Sequence, residues 1–220
     1  MKSYVITIME MEESVKAAER CIASMPEFNV EMFPAITPIK NKMLPERLAR
    51  EKGIDLDWFG RIDGAKYSRM LRCIAAFMSH HSLWEKCVEL NEEVQIFEHD
   101  AIRVGNLPQV INYQGCITLG APSYGTFQTP RNLGVNPLTQ KTYFGGAHAY
   151  RIKPAAAQLF INQAKLYAAA TDVFICTDFF PWLEEYYPWP VIVKDSFSTI
   201  QNEGGCVAKH GYDKEKYQLL

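Results

Sequence analysis

Glu98 and Asp100 stand on either side of one histidine at the end of the apolar run Val94-Gln95-Ile96-Phe97. In an extended chain, residues two apart face the same side, so the two carboxylates are expected to converge. Like charges held together need a cation or a basic group between them. A divalent ion is one such partner, because Mg2+ and Mn2+ take oxygen ligands and bridge phosphates. The other reading is a solvated strand end whose carboxylates cap a helix or pair with Arg103. His80 and His81 fall in a helical stretch, where neighbours point about 100° apart, so they do not readily share one ion. His81 is expected as a core histidine with a bonded ring, and His80 as a residue facing the strand end that carries Glu98. His148 follows Gly145-Gly146-Ala147, and glycine serves either close approach to a ligand or a turn. Asp172 and Asp178 flank Val-Phe-Ile-Cys-Thr. Each reads as a general base or as a strand-end cap.

These residues depend on the elements that carry them. Residues 3–8 are rich in β-branched side chains and predict a strand, followed by a helix over 13–24 in which Val15, Ala18 and Ile22 recur at helical spacing. A second strand is expected over 29–36, so the chain opens as an α/β domain with parallel pairing. Pro45 and Gly53 punctuate the start and end of a short helix. Residues 70–90 form the clearest helix, with Met70, Ile74, Phe77, His81, Trp84 and Val88 in one stripe. It leads into the strand 94–98 and places Glu98, His99 and Asp100 at a carboxyl edge of the sheet, where open α/β folds bind ligands. Residues 105–146 are rich in Gly, Pro, Asn and Thr and read as a long irregular segment. A helix is expected over 153–170, a strand or strand-to-loop passage over 172–180, and a short strand over 190–194. The ring cluster Trp182, Tyr186, Tyr187 and Trp189 reads as core, a dimer contact or an acceptor platform.

The totals fit this picture. With 220 residues, 48% hydrophobic and 22% charged, the chain can bury one substantial core. Its net charge of -2 argues against a generally basic nucleic-acid binder, although a local basic face is compatible with it. No apolar run is long enough to span a membrane, and no secretory signal is recognisable. The six cysteines are scattered with no C-x-x-C pair, so free, mostly buried thiols and a cytoplasmic location are expected.

One family matches this arrangement of motifs. The segment from Ala75 to Ala101 resembles family 25 glycosyltransferases, the lipooligosaccharide and procollagen galactosyltransferase group. There a small-residue run leads into Ser-His, then Leu-Trp, then a strand ending Glu-Asp-Asp-Ala. Here Ser79-His80, Leu83-Trp84 and Glu98-His99-Asp100-Ala101 take those places. His148-Ala149-Tyr150, with Pro154 and Ala157 beyond, is similar to that family's His-Ala-Tyr motif. Residues 170–176 resemble the acidic position that follows, and Ser198 to Ile200 the late segment. His99 replaces the middle aspartate, Arg72-Cys73 stand near the usual Gly-Glu, and Lys16 and Arg20 are the nearest early basic residues.

The resemblance implies a single domain over 1–220 of the GT-A type: a Rossmann-like α/β sandwich with a mostly parallel central sheet. It implies a nucleotide-sugar donor, UDP-linked, at the sheet's carboxyl edge, and inverting transfer to an acceptor hydroxyl. Mn2+ or Mg2+ would be held by Asp100, with Glu98, and with His210 as a late histidine ligand. Asp172 is the first candidate base and Asp178 the second. His80, Glu98 and His148 would contact the donor. The acceptor is a glycan, a protein or modified DNA, and an oligomer is compatible with the sequence. Two alternatives stay open: a phage-type transferase acting on hydroxymethylated bases, and a non-catalytic binding protein, the latter motivated by His99.

Overall fold

Val5, Ile6 and Thr7 suit the pleated, half-buried surface of a strand, and they lie in β1 (Lys2–Thr7). The computed structural model, which describes residues 1–60 and 67–194, continues with α1 (Glu12–Ala23), a 3-10 turn (Pro26–Phe28), β2 (Val30–Pro34), α2 (Leu44–Glu51), α3 (Asp57–Gly60) and α4 (Tyr67–Leu90). After α4 come β3 (Val94–Glu98), β4 (Ala101–Arg103), β5 (Cys116–Thr118), β6 (Gly134–Pro137) and β7 (Ala149–Ile152). The last elements are α5 (Pro154–Ala164), α6 (Thr171–Phe174), β8 (Glu184–Tyr187) and β9 (Val191–Val193). Pro45 in the first turn of α2 and Gly53 just past its end, at φ 68°, bound that helix as the sequence suggests.

Seven strands form the central sheet in the order β2-β1-β3-β7-β5-β8-β6. β2, β1 and β3 are parallel. β7 runs against both β3 and β5, β8 runs with β5, and β6 runs against β8. Five strands (β2, β1, β3, β5 and β8) therefore point one way, and the sheet is mostly parallel in the sense of a Rossmann-like fold. β4 and β9 make a separate two-stranded sheet. No helix among the described residues is long and apolar enough to cross a membrane.

Two cores follow from the layers. One contains Ile96 and Val94 of β3 with Phe77, Leu83 and Trp84 of α4 and Phe160 of α5; the other contains Phe97 of β3 with Ala18 and Cys21 of α1. Alternation along β3 thus feeds opposite sides of the sheet. On the α4 side aromatic rings interlock: Trp84 meets Phe160 at 5.2 Å edge-on and Phe174 at 5.5 Å stacked, separations at which ring quadrupoles attract. Cys21, Cys87, Cys116 and Cys176 are free thiols.

Several sequence expectations change. Residues 172–180 are not a strand: Thr171–Phe174 make one helical turn, because Phe174 and Ile175 are buried against the aromatic core instead of pairing in a sheet. α5 stops at Ala164, where Leu166 and Tyr167 both donate to Gln163 O, and Ala168 and Ala169 turn into the core. The segment 105–146 contains β5 and β6, each only a few residues long. β8 went unseen because Glu184 and Glu185 disguise it; Glu185 is fully buried and accepts from Thr139 N (2.6 Å), Thr139 Oγ1 (2.8 Å), Gln140 N (2.9 Å) and Trp189 Nε1 (3.0 Å). The aromatic cluster divides, with Trp182 packed near Phe160 and Phe180 and Trp189 paired with Phe127 and Tyr187.

Candidate active site

The carboxyl end of β3, the start of β7 and the residue just past β5 lie side by side. Strand pairing puts them there: β7 is sandwiched between β3 and β5, and the ladder runs on to a bond from Glu98 N to His148 O of 3.0 Å. Glu98 is the last residue of β3 and shares its parity with Ile96, so its side chain faces α4. There His80 Nε2 lies 3.2 Å from Glu98 Oε1. Ser79 fixes this part of α4, accepting from Ile36 N at 2.9 Å while its hydroxyl donates to Ala75 O at 2.8 Å.

Behind His80 a chain of buried bonds sets its orientation. Trp84 Nε1 donates to Tyr150 Oη at 2.9 Å, and Tyr150 Oη lies 2.9 Å from His80 Nδ1. Indole N–H is only a donor and an ionised carboxylate only an acceptor, so His80 Nε2 donates to Glu98 and, in the neutral ring, Nδ1 accepts from Tyr150 Oη. Burial raises the Tyr150 phenol well above its ordinary range and keeps it a donor. His80 is 1% exposed, whereas 35% of the Glu98 side chain is open. The ladder therefore ends in a carboxylate that a ligand can reach. Partial burial pushes the Glu98 carboxyl up, but the His80 hydrogen bond and the imidazoles of His80, His148 and His99 outweigh it, and the group is held below the usual carboxylate range.

His148 is almost wholly buried, and neither ring nitrogen has a hydrogen-bond partner. Burial drives its pKa down to about 4, against the opposing pull of Glu98 and the Val191 main chain, so the ring is neutral at neutral pH. Asp172, at the first turn of α6, is half-buried. Its Oδ1 accepts from Val173 N at 2.9 Å and its Oδ2 accepts a short bond from Tyr124 Oη. Burial raises the Asp172 carboxyl, the bonds from Tyr124 and Val173 oppose that, and the charge of Glu98 raises it further. Tyr124 is held in place by stacking on Tyr143 at 6.3 Å, with Lys141 Nζ 5.1 Å from its ring centre.

The other expected site residues fall elsewhere. Asp100 does not follow the alternation of β3, because residues 99 and 100 form a turn. It acts electrostatically on Cys21 of α1, and its main-chain oxygen accepts from Lys194 N at 3.1 Å. The alternation that would align Asp100 with Glu98 therefore stops at residue 98. Asp178 is exposed, and His210 lies outside the described residues. His81 is buried with Nδ1 3.6 Å from Glu85 Oε2, between the rings of Phe77 and Trp84. Among the described residues, no group of three or more His, Cys, Asp or Glu side chains could hold a metal ion. Of the expected ligands, Glu98 is the one that β3 carries to this edge.

The decisive comparison concerns the first half of the chain. Residues 1–115 match the model of glycosyltransferase family 25 (LPS biosynthesis protein). The chain belongs to that family. It is a glycosyltransferase. Comparison with curated proteins finds no match. The matched stretch of this family 25 glycosyltransferase carries His80, Glu98 and Asp100; the structure adds His148, Tyr150 and Asp172 from beyond it. Sequence reading gave no role to Tyr150, Tyr124 or Gly120. For Tyr150 the available signal was its place two residues after His148, on the strand that pairs with the one ending at Glu98.

Proposed function

We propose that the enzyme transfers a sugar from a nucleotide-sugar donor, UDP-linked, to an acceptor hydroxyl with inversion, using the edge formed by Glu98, His80, His148 and Asp172. Glu98 and His148 contact the donor, and His80 holds Glu98 in register. Asp172 is the general base: it takes the acceptor proton as the acceptor oxygen bonds to the anomeric carbon and the bond to the nucleoside diphosphate breaks. One observation carries the reading. Glu98 is held as an ionised carboxylate, Asp172 is a second carboxyl raised by burial, and the charge of Glu98 raises Asp172 further. Such divergent environments are how two carboxyls take different roles at one pH.

Glu98, Asp100 and His210 are the residues that would hold Mn2+ or Mg2+, and such an ion would offset charge on the leaving diphosphate. Mn2+ and chelator are therefore variables of the test. Transfer or donor hydrolysis is assayed with a panel of UDP-sugars, in Mn2+ and in chelator, for wild type and Asp172→Asn. The expected result is turnover in wild type that falls at least about a hundredfold in Asp172→Asn while donor affinity is kept. Equal turnover in both removes Asp172 from the chemistry. Binding without turnover by wild type favours a non-catalytic protein.

A further inference from the structure

His148 can stand beside Glu98 only because residue 120 lacks a side chain. A Cβ on Gly120 would lie 2.3 Å from His148 Nε2, 2.7 Å from Cε1 and 2.9 Å from Cδ2. On the other side, a Cβ on Gly146 would lie 2.8 Å from His148 Nδ1 and 2.7 Å from Ser123 Oγ. The imidazole is thus held between two stretches of bare main chain. The Gly120 stretch cannot easily retreat. Leu119 N donates to Ala149 O at 3.0 Å and Ala121 N to Val191 O at 2.8 Å, pinning Gly120 from both sides, and Gly120 itself bridges Val191. The His148 main chain is tied to Glu98 N at 3.0 Å. The ring sits at the base of a short side chain and cannot swing away without leaving the edge.

Burial alone does not explain this histidine. Buried polar side chains nearly always find a partner, whereas neither His148 nitrogen has one in full hydrogen-bond geometry, the Val191 main chain giving only a weak pull. A packing role would be filled better by an apolar side chain of similar size. We propose that Gly120 is a positioning residue of the donor site, whose missing Cβ fixes the His148 imidazole beside the Glu98 carboxylate. This rests on the donor-site reading above, and it adds a residue outside the stretch that matches the family. Gly120 touches no reacting group and acts only through the ring it faces.

The test is a double-substitution cycle of Gly120→Ala, His148→Ala and the two together, read by donor KM and kcat, by melting temperature, and by the ring signals of isotopically labelled histidine. Gly120→Ala is expected to raise donor KM roughly tenfold to a hundredfold with a smaller change in kcat. It also shifts the one ring signal that disappears in His148→Ala, leaving those of His80 and His81 in place. The double variant is then no worse than His148→Ala alone, because the group that would clash is gone. Should Gly120→Ala fail to fold, the added His148→Ala restores the melting temperature of the single His148→Ala protein. Additive losses overturn the proposal, as does a Gly120→Ala protein with unchanged donor KM and an unmoved His148 signal. A wild type that takes no nucleotide sugar removes the donor role together with the reading it rests on, whereas the melting and ring-signal arms still decide whether Gly120 places His148.

Discussion

His80 Nε2 lies 3.2 Å from Glu98 Oε1, and this contact ties the longest helix of the described chain to the carboxyl end of a central strand. The same histidine is held from behind by Tyr150, which is itself held by Trp84. A wholly buried ladder thereby delivers one carboxylate, partly open, to the place where the family's chemistry is expected.

Removing the phenol oxygen in the middle of that ladder should be costly. Tyr150→Phe leaves Trp84 Nε1 and His80 Nδ1 buried without their shared partner, at about 1–3 kcal/mol for each unsatisfied group. The midpoint of urea unfolding should fall by a corresponding amount. A variant with an unchanged midpoint would mean that the ladder contributes nothing to stability.

Tyr124 should tune Asp172. Its hydrogen bond lowers the Asp172 carboxyl against the raising effect of burial. In Tyr124→Phe that opposing influence is gone, so the base must titrate at higher pH. The acid limb of the kcat/KM profile is expected to move upward relative to wild type. A limb that stays put, or moves down, contradicts Asp172 as the base.

A separate pH effect comes from the α2–α4 contact. Lys52 Nζ bonds Glu85 Oε1 at 2.7 Å and Oε2 at 2.9 Å, with His81 on the other side. Partial burial raises the Glu85 carboxyl, but His81 and Lys52 outweigh it and hold the carboxyl at about 2. The folded value lies below the unfolded one. The stabilisation is therefore complete above the ordinary glutamate range, near pH 4.3, and is lost as pH falls towards 2. Because the pair is more than a third exposed, its contribution is about 1 kcal/mol. Glu85→Gln should be less stable than wild type by that amount at pH 7 and nearly equal to it at pH 2. A difference that does not shrink on acidification points to packing instead.

His148 gives the opposite kind of titrating group the same sign. Its folded pKa of about 4 lies below the ordinary histidine value of 6.5, so the unfolded chain takes up a proton across that interval and the folded chain does not. Stability should decline as pH falls from 6.5 to 4. The denaturation midpoint of wild type should fall relative to that of His148→Asn as pH is lowered through this interval. Parallel curves would mean that the ring is not buried neutral.

What the sequence discloses and what it hides have physical causes. The α4 stripe and β3 are legible because Ile74, Phe77 and Trp84 repeat at helical spacing and then hand over to an apolar strand. The turn at residues 99 and 100 is not legible, since nothing in the sequence marks that the alternation of β3 ends at Glu98. β8 is concealed by two glutamates, one of which is buried only because main-chain and side-chain donors from residues 139, 140 and 189 surround it. Gly120 reads as one glycine in a glycine-rich stretch. Its purpose is apparent only when β7 brings His148 against it, which no local pattern encodes.

The most direct measurement is calorimetric titration of wild type and Glu98→Gln with UDP and UDP-sugars, in Mn2+ and in chelator. Glu98→Gln keeps the size of the side chain and the hydrogen bond to His80 but removes the charge. The account predicts that wild type binds a nucleotide sugar and that Glu98→Gln binds it at least about tenfold more weakly, a difference of roughly 1.4 kcal/mol, with its melting temperature unchanged. Equal affinity in the two proteins, or no binding of any nucleotide by wild type, would contradict a donor site centred on Glu98.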